Sequence, residues 1–223
     1  MVFKPVIAGL EIGDDPQRWR DVGFSVDQDG TCQIGTVLIS LVSNDGTGSG
    51  IRSWSIKTPA CPAGQYSISG LLTKVITPEA DSLTSLPNEI PAHLNGALSI
   101  DHLVIFSPNL DGTIAELSPF GLEPRRTRQH EAFGQPMRQV FFRMGEVVLE
   151  LVGLDKEGGE GQAGFFGITF TVEDLDSTAS FLKEHIGRVK DAVQPGRRIA
   201  TLRKTAGLQT AIAFMTPDIR SQE

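Results

Sequence analysis

SIDHLVIFSPNLDGTIAELSPFG, residues 99–121, reads as a strand followed directly by a helix. The strand half is rich in β-branched and aromatic residues and stops at Pro108, which cannot donate to a sheet ladder. Asn109 offers an N-cap, Leu110, Ile114 and Leu117 recur at helical spacing, and Pro119 and Gly121 close the helix. Three β-rich runs follow: LEPRRTRQ (122–129), MRQVFFRMG (137–145) and EVVLELVG (146–153), the last two joined as a tight hairpin across Met144 and Gly145. The order is βαβββ.

That order returns after the glycine-rich run KEGGEGQAG (156–164). FFGITFTVED (165–174) is a strand, LDSTASFLKEHIG (175–187) a helix, and RVKDAVQPG (188–196), RRIATLRKTAG (197–207) and LQTAIAFMTP (208–217) supply three strands. Two matching units in a row are the signature of a modular fold. The N-terminal part reads as a worn copy: VIAGLEIGDD (6–15) as strand, PQRWRDVG (16–23) as helix, FSVDQDG (24–30) and TCQIGTVLISLVS (31–43) as strands. GIRSWSIKT (50–58) parallels GFFGITFTV, and GTGSG (46–50) before it reads as a flexible turn. Pro59, Pro62, Pro78, Pro87 and Pro91 then forbid long regular elements, so residues 59–97 read as a linker with one or two short strands. The expected organisation is α+β, with paired βαβββ modules: a degenerate module over 1–58, the linker 59–97, and a full pair over 98–217, split as 98–153 and 164–217.

At 223 residues, 39% hydrophobic and 21% charged, the chain can bury a core and is no disordered segment. A net charge of −7 gives no general attraction to phosphate backbones or anionic lipid, so nucleic acid and membrane are poor partners to expect. No apolar run approaches the roughly 20 residues that span a bilayer, and acidic residues interrupt the N-terminus before a signal-like segment develops. A cytoplasmic location follows by default. Cys32 and Cys61 form neither a CxxC nor a CxxH pattern and read as buried thiols. No dinucleotide-binding, P-loop or nucleophile-elbow motif is present in the required context.

IDHLVIFSPNLDGTIAEL followed by RQVFFRMGEVVLELVG resembles a module of the vicinal-oxygen-chelate superfamily, which includes glyoxalases, bleomycin-resistance proteins and extradiol dioxygenases. FGITFTVEDLDSTASFL resembles the start of its partner module. The resemblance covers residues 98–217 well and 5–58 loosely. It implies curved mixed sheets around a cleft with helices packed outside, and often a divalent metal ligated from the first and last strand of each module. Carried onto this chain, those strands offer His102 and Glu150. An imidazole and a carboxylate suit zinc, iron, manganese or nickel. Strand alternation surrounds Glu150 with apolar neighbours, where a carboxylate is costly unless something cationic compensates it.

The second module departs from the pattern, with Gly167 at the histidine position and Phe214, or its neighbour Ala213, at the carboxylate position. The metal site is thus incomplete unless His130 or Gln139 completes it. Two functional readings stay open, beside a structural or oligomerisation role with a filled cleft. One is a metal-dependent lyase, isomerase or dioxygenase with ligands His102, Glu150 and His130, in which Glu150 alternatively serves as base. The other is a metal-free protein holding an apolar or aromatic small molecule against Phe106, Phe142, Phe166 and Phe214. Arg198, with Arg197 and Arg203, and the cluster Arg125, Arg126 and Arg128 read either as anion clamps or as solvent-facing strand charges. His93 reads as stabilising a turn, His185 as a solvated helix cap, and Trp19 and Trp54 as core. Pairing with a second copy of the chain stays open.

Overall fold

The computed structural model describes residues 4–42, 49–78, 91–132 and 134–218. Strand β1 (Val6–Gly13) leads into helix α1 (Pro16–Asp21), strands β2 (Thr31–Ile34) and β3 (Val37–Leu41), strand β4 (Gly50–Lys57), and strands β5 (Gly64–Ile68) and β6 (Leu71–Ile76). Next come β7 (Ala97–Phe106), α2 (Leu110–Leu117), β8 (Arg126–Ala132), β9 (Gln135–Met144) and β10 (Val147–Leu154). The chain finishes with β11 (Gly164–Val172), α3 (Leu175–Leu182), β12 (Lys190–Asp191), β13 (Arg198–Thr201) and β14 (Ala211–Met215). Short helices beside mixed parallel and antiparallel strands make this an α+β fold, as the repeat implied.

The chain divides into two compact units: Met1–Leu10, Arg52–Leu86 and His102–Phe166 in the first, Glu11–Ile51, Pro87–Asp101 and Gly167–Glu223 in the second. Each therefore combines N-terminal and C-terminal strands, and the boundary falls within β1, β4, β7 and β11.

In the first unit the last strand of the 98–153 module lies parallel to its first, with Val148 opposite His102 and Glu150 opposite Val104. Strand β9 returns antiparallel beside β10, and β8 beside β9. Met144 pairs with Val147, so the two-residue hairpin loop is Gly145–Glu146, one residue beyond the expected one, with Gly145 at φ 65°. Asn109 caps α2 by accepting from the Gly112 N–H, as its position suggested. Leu103, Ile105, Leu149 and Leu151 form one buried face, against which α2 packs.

The described part of residues 59–97 holds two short strands, the upper end of what was expected there. Strands β5 and β6 form a hairpin around Ser69 and Gly70, both at positive φ, and β6 lies parallel to β4. Pro59, Pro62 and Pro78 sit outside the strands, so they bound them rather than forbid them. Trp54 is buried and donates its indole N–H to Thr73 Oγ1 at 2.7 Å. Pro87 and most of the GTGSG run lie outside the described residues.

The second unit repeats the scheme: β11 runs parallel to β14, β13 antiparallel to β14, and β12 antiparallel to β13. Its core is aromatic, with Phe24 against Trp19 (ring centroids 4.6 Å apart), Phe170 (5.0 Å) and Phe214 (6.2 Å). Each such ring buries on the order of 150–250 Å². FSVDQDG, expected as a strand, is instead a loop that delivers Phe24 to this core. Its polar residues suit a turn, and Arg20 fastens it by donating to the carbonyls of Val26 (3.1 Å) and Asp27 (2.6 Å). Likewise RVKDAVQPG retains only two strand residues, and the helix begun at Leu175 ends at Leu182, followed by a 3-10 turn.

Asp14 is buried and accepts three hydrogen bonds: from the Trp19 indole (3.2 Å), the Gln209 N–H (3.0 Å) and the Thr210 N–H (3.3 Å). It ties the end of β1 to α1 and to the approach to β14. Buried Arg197 plays a similar part, pairing with Asp101 while its Nε donates to the Thr216 carbonyl at 2.7 Å. Cys32 and Cys61 are free thiols, and burial pushes that of Cys32 up to about 12.

Asp14→Ala leaves the Trp19 indole and the Thr210 amide without an acceptor. The expected cost is about 2–4 kcal/mol in denaturant unfolding; a loss below about 0.5 kcal/mol, the size of an ordinary surface change, would contradict this role for Asp14. His93 is buried, accepts from the Ser25 N–H at Nδ1 (2.9 Å), and places Nε2 3.1 Å from the Gln33 carbonyl. Both bonds are made by the neutral ring, and burial lowers its pKa despite that carbonyl. The unfolded chain then binds the extra proton more readily. The contribution is complete above about pH 6.5 and is lost as pH falls toward the lowered value. The melting temperature should fall more steeply between pH 7.5 and 5.5 in the native protein than in His93→Gln; equal slopes would exclude His93 as the cause.

Candidate functional site

Strands β7, β10, β9 and β8 present a second face, opposite the one that packs on α2. Alternation along β10 turns Val148, Glu150 and Val152 to this face. The register then adds His102, Val104 and Phe106 from β7, Gln139, Phe141 and Arg143 from β9, and Arg126 and Arg128 from β8. All lie within the first unit. The apolar residues give the face a floor, and its polar groups come from four different strands.

Glu150 is half-buried, and its carboxylate accepts from Gln139 Nε2 at 2.6 Å. The other amide atom, Gln139 Oε1, is buried with no hydrogen-bond partner. Arg126 stands 5.9 Å from the centroid of the Phe141 ring, within cation–π range.

The expected metal ligands separate on this lattice. His102 and Glu150 share the face as diagonal neighbours, about 7–8 Å apart at the backbone and within reach of long side chains. His130 does not join them. It pairs with Met137, which pairs with Leu154, four residues along β10 from Glu150, or about 13 Å at strand rise. Among the described residues no three His, Cys, Asp or Glu side chains gather where an ion could be held. A zinc site usually takes at least three protein ligands, so the residues present do not fit one.

The second unit resolves the alternative at the other carboxylate position. Gly167 pairs with Ala211 and Thr169 with Ala213, matching His102 with Val148 and Val104 with Glu150. Ala213, rather than Phe214, stands where Glu150 does. Gly167 is further constrained, because a Cβ there would lie 2.4 Å from the Ala211 carbonyl oxygen.

The expected ligand-lining set also splits. Phe106 and Phe166 are exposed, at 44% and 66%, whereas Phe142 and Phe214 are buried at 1% and 0%. Phe142 packs beside Leu149 on the α2 side, and Phe214 belongs to the aromatic core of the second unit, so neither lines an open surface. The aromatic ring beside Glu150 is Phe141, its direct cross-strand partner. Arg198 is committed to a two-point pair with Asp176, at 3.0 and 2.8 Å. His185 is half-buried in a 3-10 turn rather than solvated, with Nδ1 unpartnered.

A sequence profile described as the Glyoxalase/Bleomycin resistance protein/Dioxygenase superfamily matches residues 99–218. No curated protein matches the chain. Among solved structures, a mutant 4-hydroxymandelate synthase from Streptomyces coelicolor is similar over 96% of this chain and 92% of its own, with 13% identity and a TM-score of 0.63. A fusion of a xylose isomerase-like TIM barrel with 4-hydroxyphenylpyruvate dioxygenase is similar over 95% of this chain and 48% of its own, with 11% identity and a TM-score of 0.64. Methylmalonyl-CoA epimerase from Mycobacterium tuberculosis matches over 57% of this chain and 93% of its own, with 15% identity and a TM-score of 0.45. At such identities the first two likenesses speak to fold.

Gly167→His tests whether the family ligand can be restored. The crowding of its Cβ against backbone predicts a loss of several degrees in melting temperature and no gained divalent-ion binding by calorimetry. A variant as stable as the native protein that binds one equivalent of zinc would contradict this.

Proposed function

The chain belongs to the glyoxalase/bleomycin resistance protein/dioxygenase superfamily, and on that premise we propose that it is a metal-independent member whose β7–β10–β9–β8 face binds a small molecule. The observation that carries the reading is the state of Glu150. The carboxylate that a metal would need is instead held by the Gln139 amide. A charge-assisted hydrogen bond of this kind lets a partly buried carboxylate persist without a cation.

The floor of Val104, Phe106, Phe141 and Val152 suits an apolar or aromatic body, and the polar groups beside it set orientation. Glu150 is the one carboxylate on the inner strands of this face. A proton moved at this site would be accepted there, by the Oε atom that Gln139 leaves unbonded. Glu150→Gln removes that capacity and keeps the shape.

The second reading is a divalent ion held by His102 and Glu150. It is favoured by their diagonal placement on one face and disfavoured by the position of His130. Metal analysis of untagged protein separates the two. The proposal expects no stoichiometric metal and no rise in melting temperature with added zinc, iron, manganese or nickel. One retained equivalent that disappears in both His102→Ala and Glu150→Ala would overturn it.

A further inference from the structure

We propose that the ligand of this face is a small organic anion carrying a hydrogen-bond donor of its own, seated over β8 and β9 between Arg126, Arg128 and Gln139; the inference rests on the binding reading above. Four arginines away from this face are matched to carboxylates, Arg18 to Asp21 among them. Arg138 pairs with Asp111 and Asp155, Arg197 with Asp101, and Arg198 with Asp176. With 27 acidic residues against 20 basic ones, the chain has carboxylates to spare. Yet among the described residues Arg126, Arg128 and Arg143 have no ion-pair partner, although all three share one face.

Their spacing makes that costly. Arg126 and Arg128 are two residues apart on β8, and Arg143 lies diagonal to Arg126 across β9. Like charges this near repel. An anion placed among them relieves the repulsion, and guanidinium edges suit carboxylate or phosphate oxygens. Stacking over Phe141 orients Arg126 while leaving its N–H edge available.

Gln139 gives an independent pointer. It pairs with Arg128 across the strands, and its Nε2 is spent on Glu150, which leaves Oε1 buried without a donor. Buried acceptors in native proteins are nearly always satisfied. A ligand O–H or N–H at this point would satisfy it. Glu150 fixes the polarity: its charge repels an anion over β10, so the anionic end lies toward the arginines and the donor end toward Gln139 and Glu150.

The test uses 4-hydroxybenzoate, its neutral counterpart 4-hydroxybenzamide, and phenyl phosphate, titrated into the full chain by calorimetry and thermal shift. Either anion should bind, the better of the two distinguishing carboxylate from phosphate, and the amide should bind at least tenfold more weakly. Arg126→Gln/Arg128→Gln should weaken anion binding at least tenfold without a large fall in melting temperature, because neither guanidinium has an ion pair to lose and their mutual repulsion is relieved. Equal binding of the amide, or undiminished binding by the double variant, overturns the anion inference while the binding face stands. Absence of binding by all three compounds up to about 10 mM, the weak end of specific recognition, overturns both.

Discussion

The parallel pairing of a module's last strand with its first is the constraint from which the rest of this structure follows. Among the described residues it joins β7 to β10 and β11 to β14, and a third parallel pair joins β6 to β4. Parallel neighbours cannot be joined by a tight turn, so the chain between them must leave the strand and return. In two of the three cases a short helix and two further strands fill that excursion. The register of the parallel pair then decides which side chains share a face. A slip of one residue would exchange the two faces entirely.

Packing fixes that register from the opposite side. In the first unit Leu103, Ile105, Leu149 and Leu151 are all buried, so Glu150 and His102 must turn away from α2. In the second unit Phe170 and Phe214 are direct partners in the β11–β14 pair, and both join Trp19 and Phe24 in the core. Ala213 is thereby committed to the other face. The register of the parallel pair, and no local rearrangement, sets Ala213 at that position. Gly167 is held by the same pairing, since its Cα runs too close to the Ala211 carbonyl for any larger residue.

Much of this was legible in the amino-acid sequence because the C-terminal modules follow local rules closely. Asn109 caps its helix as its position suggests, and Gly145 marks its hairpin to within one residue. Alternation alone groups Val148 and Val152 with Glu150, while the register of the parallel pair brings His102 to the same face. The choice of Phe142 as a lining residue did not follow. A two-residue hairpin loop places odd-numbered residues of β9 opposite even-numbered residues of β10, so Phe141, not Phe142, stands beside Glu150. That arithmetic was available from the hairpin. Three features were not legible. One or two short strands were expected within residues 59–97, but the parallel pairing of β6 with β4 joins segments that no local pattern connects. Phe24 enters the core from a turn-like segment because of tertiary contacts. The commitment of Arg197 and Arg198 to Asp101 and Asp176 rests on partners far away in sequence.

Whether the Gln139 amide or a metal ion holds Glu150 can be decided by one measurement. The side-chain NH2 signals of Gln139 can be followed by nitrogen-15 NMR while manganese is added in substoichiometric amounts. A paramagnetic ion on Glu150 would broaden them, together with signals of His102 and Leu149, before any others. With Glu150 held by the amide, these signals keep their widths, and those of Gln139 shift only when Glu150 is replaced by glutamine. Selective broadening at Gln139, His102 and Leu149 at the first additions would contradict it.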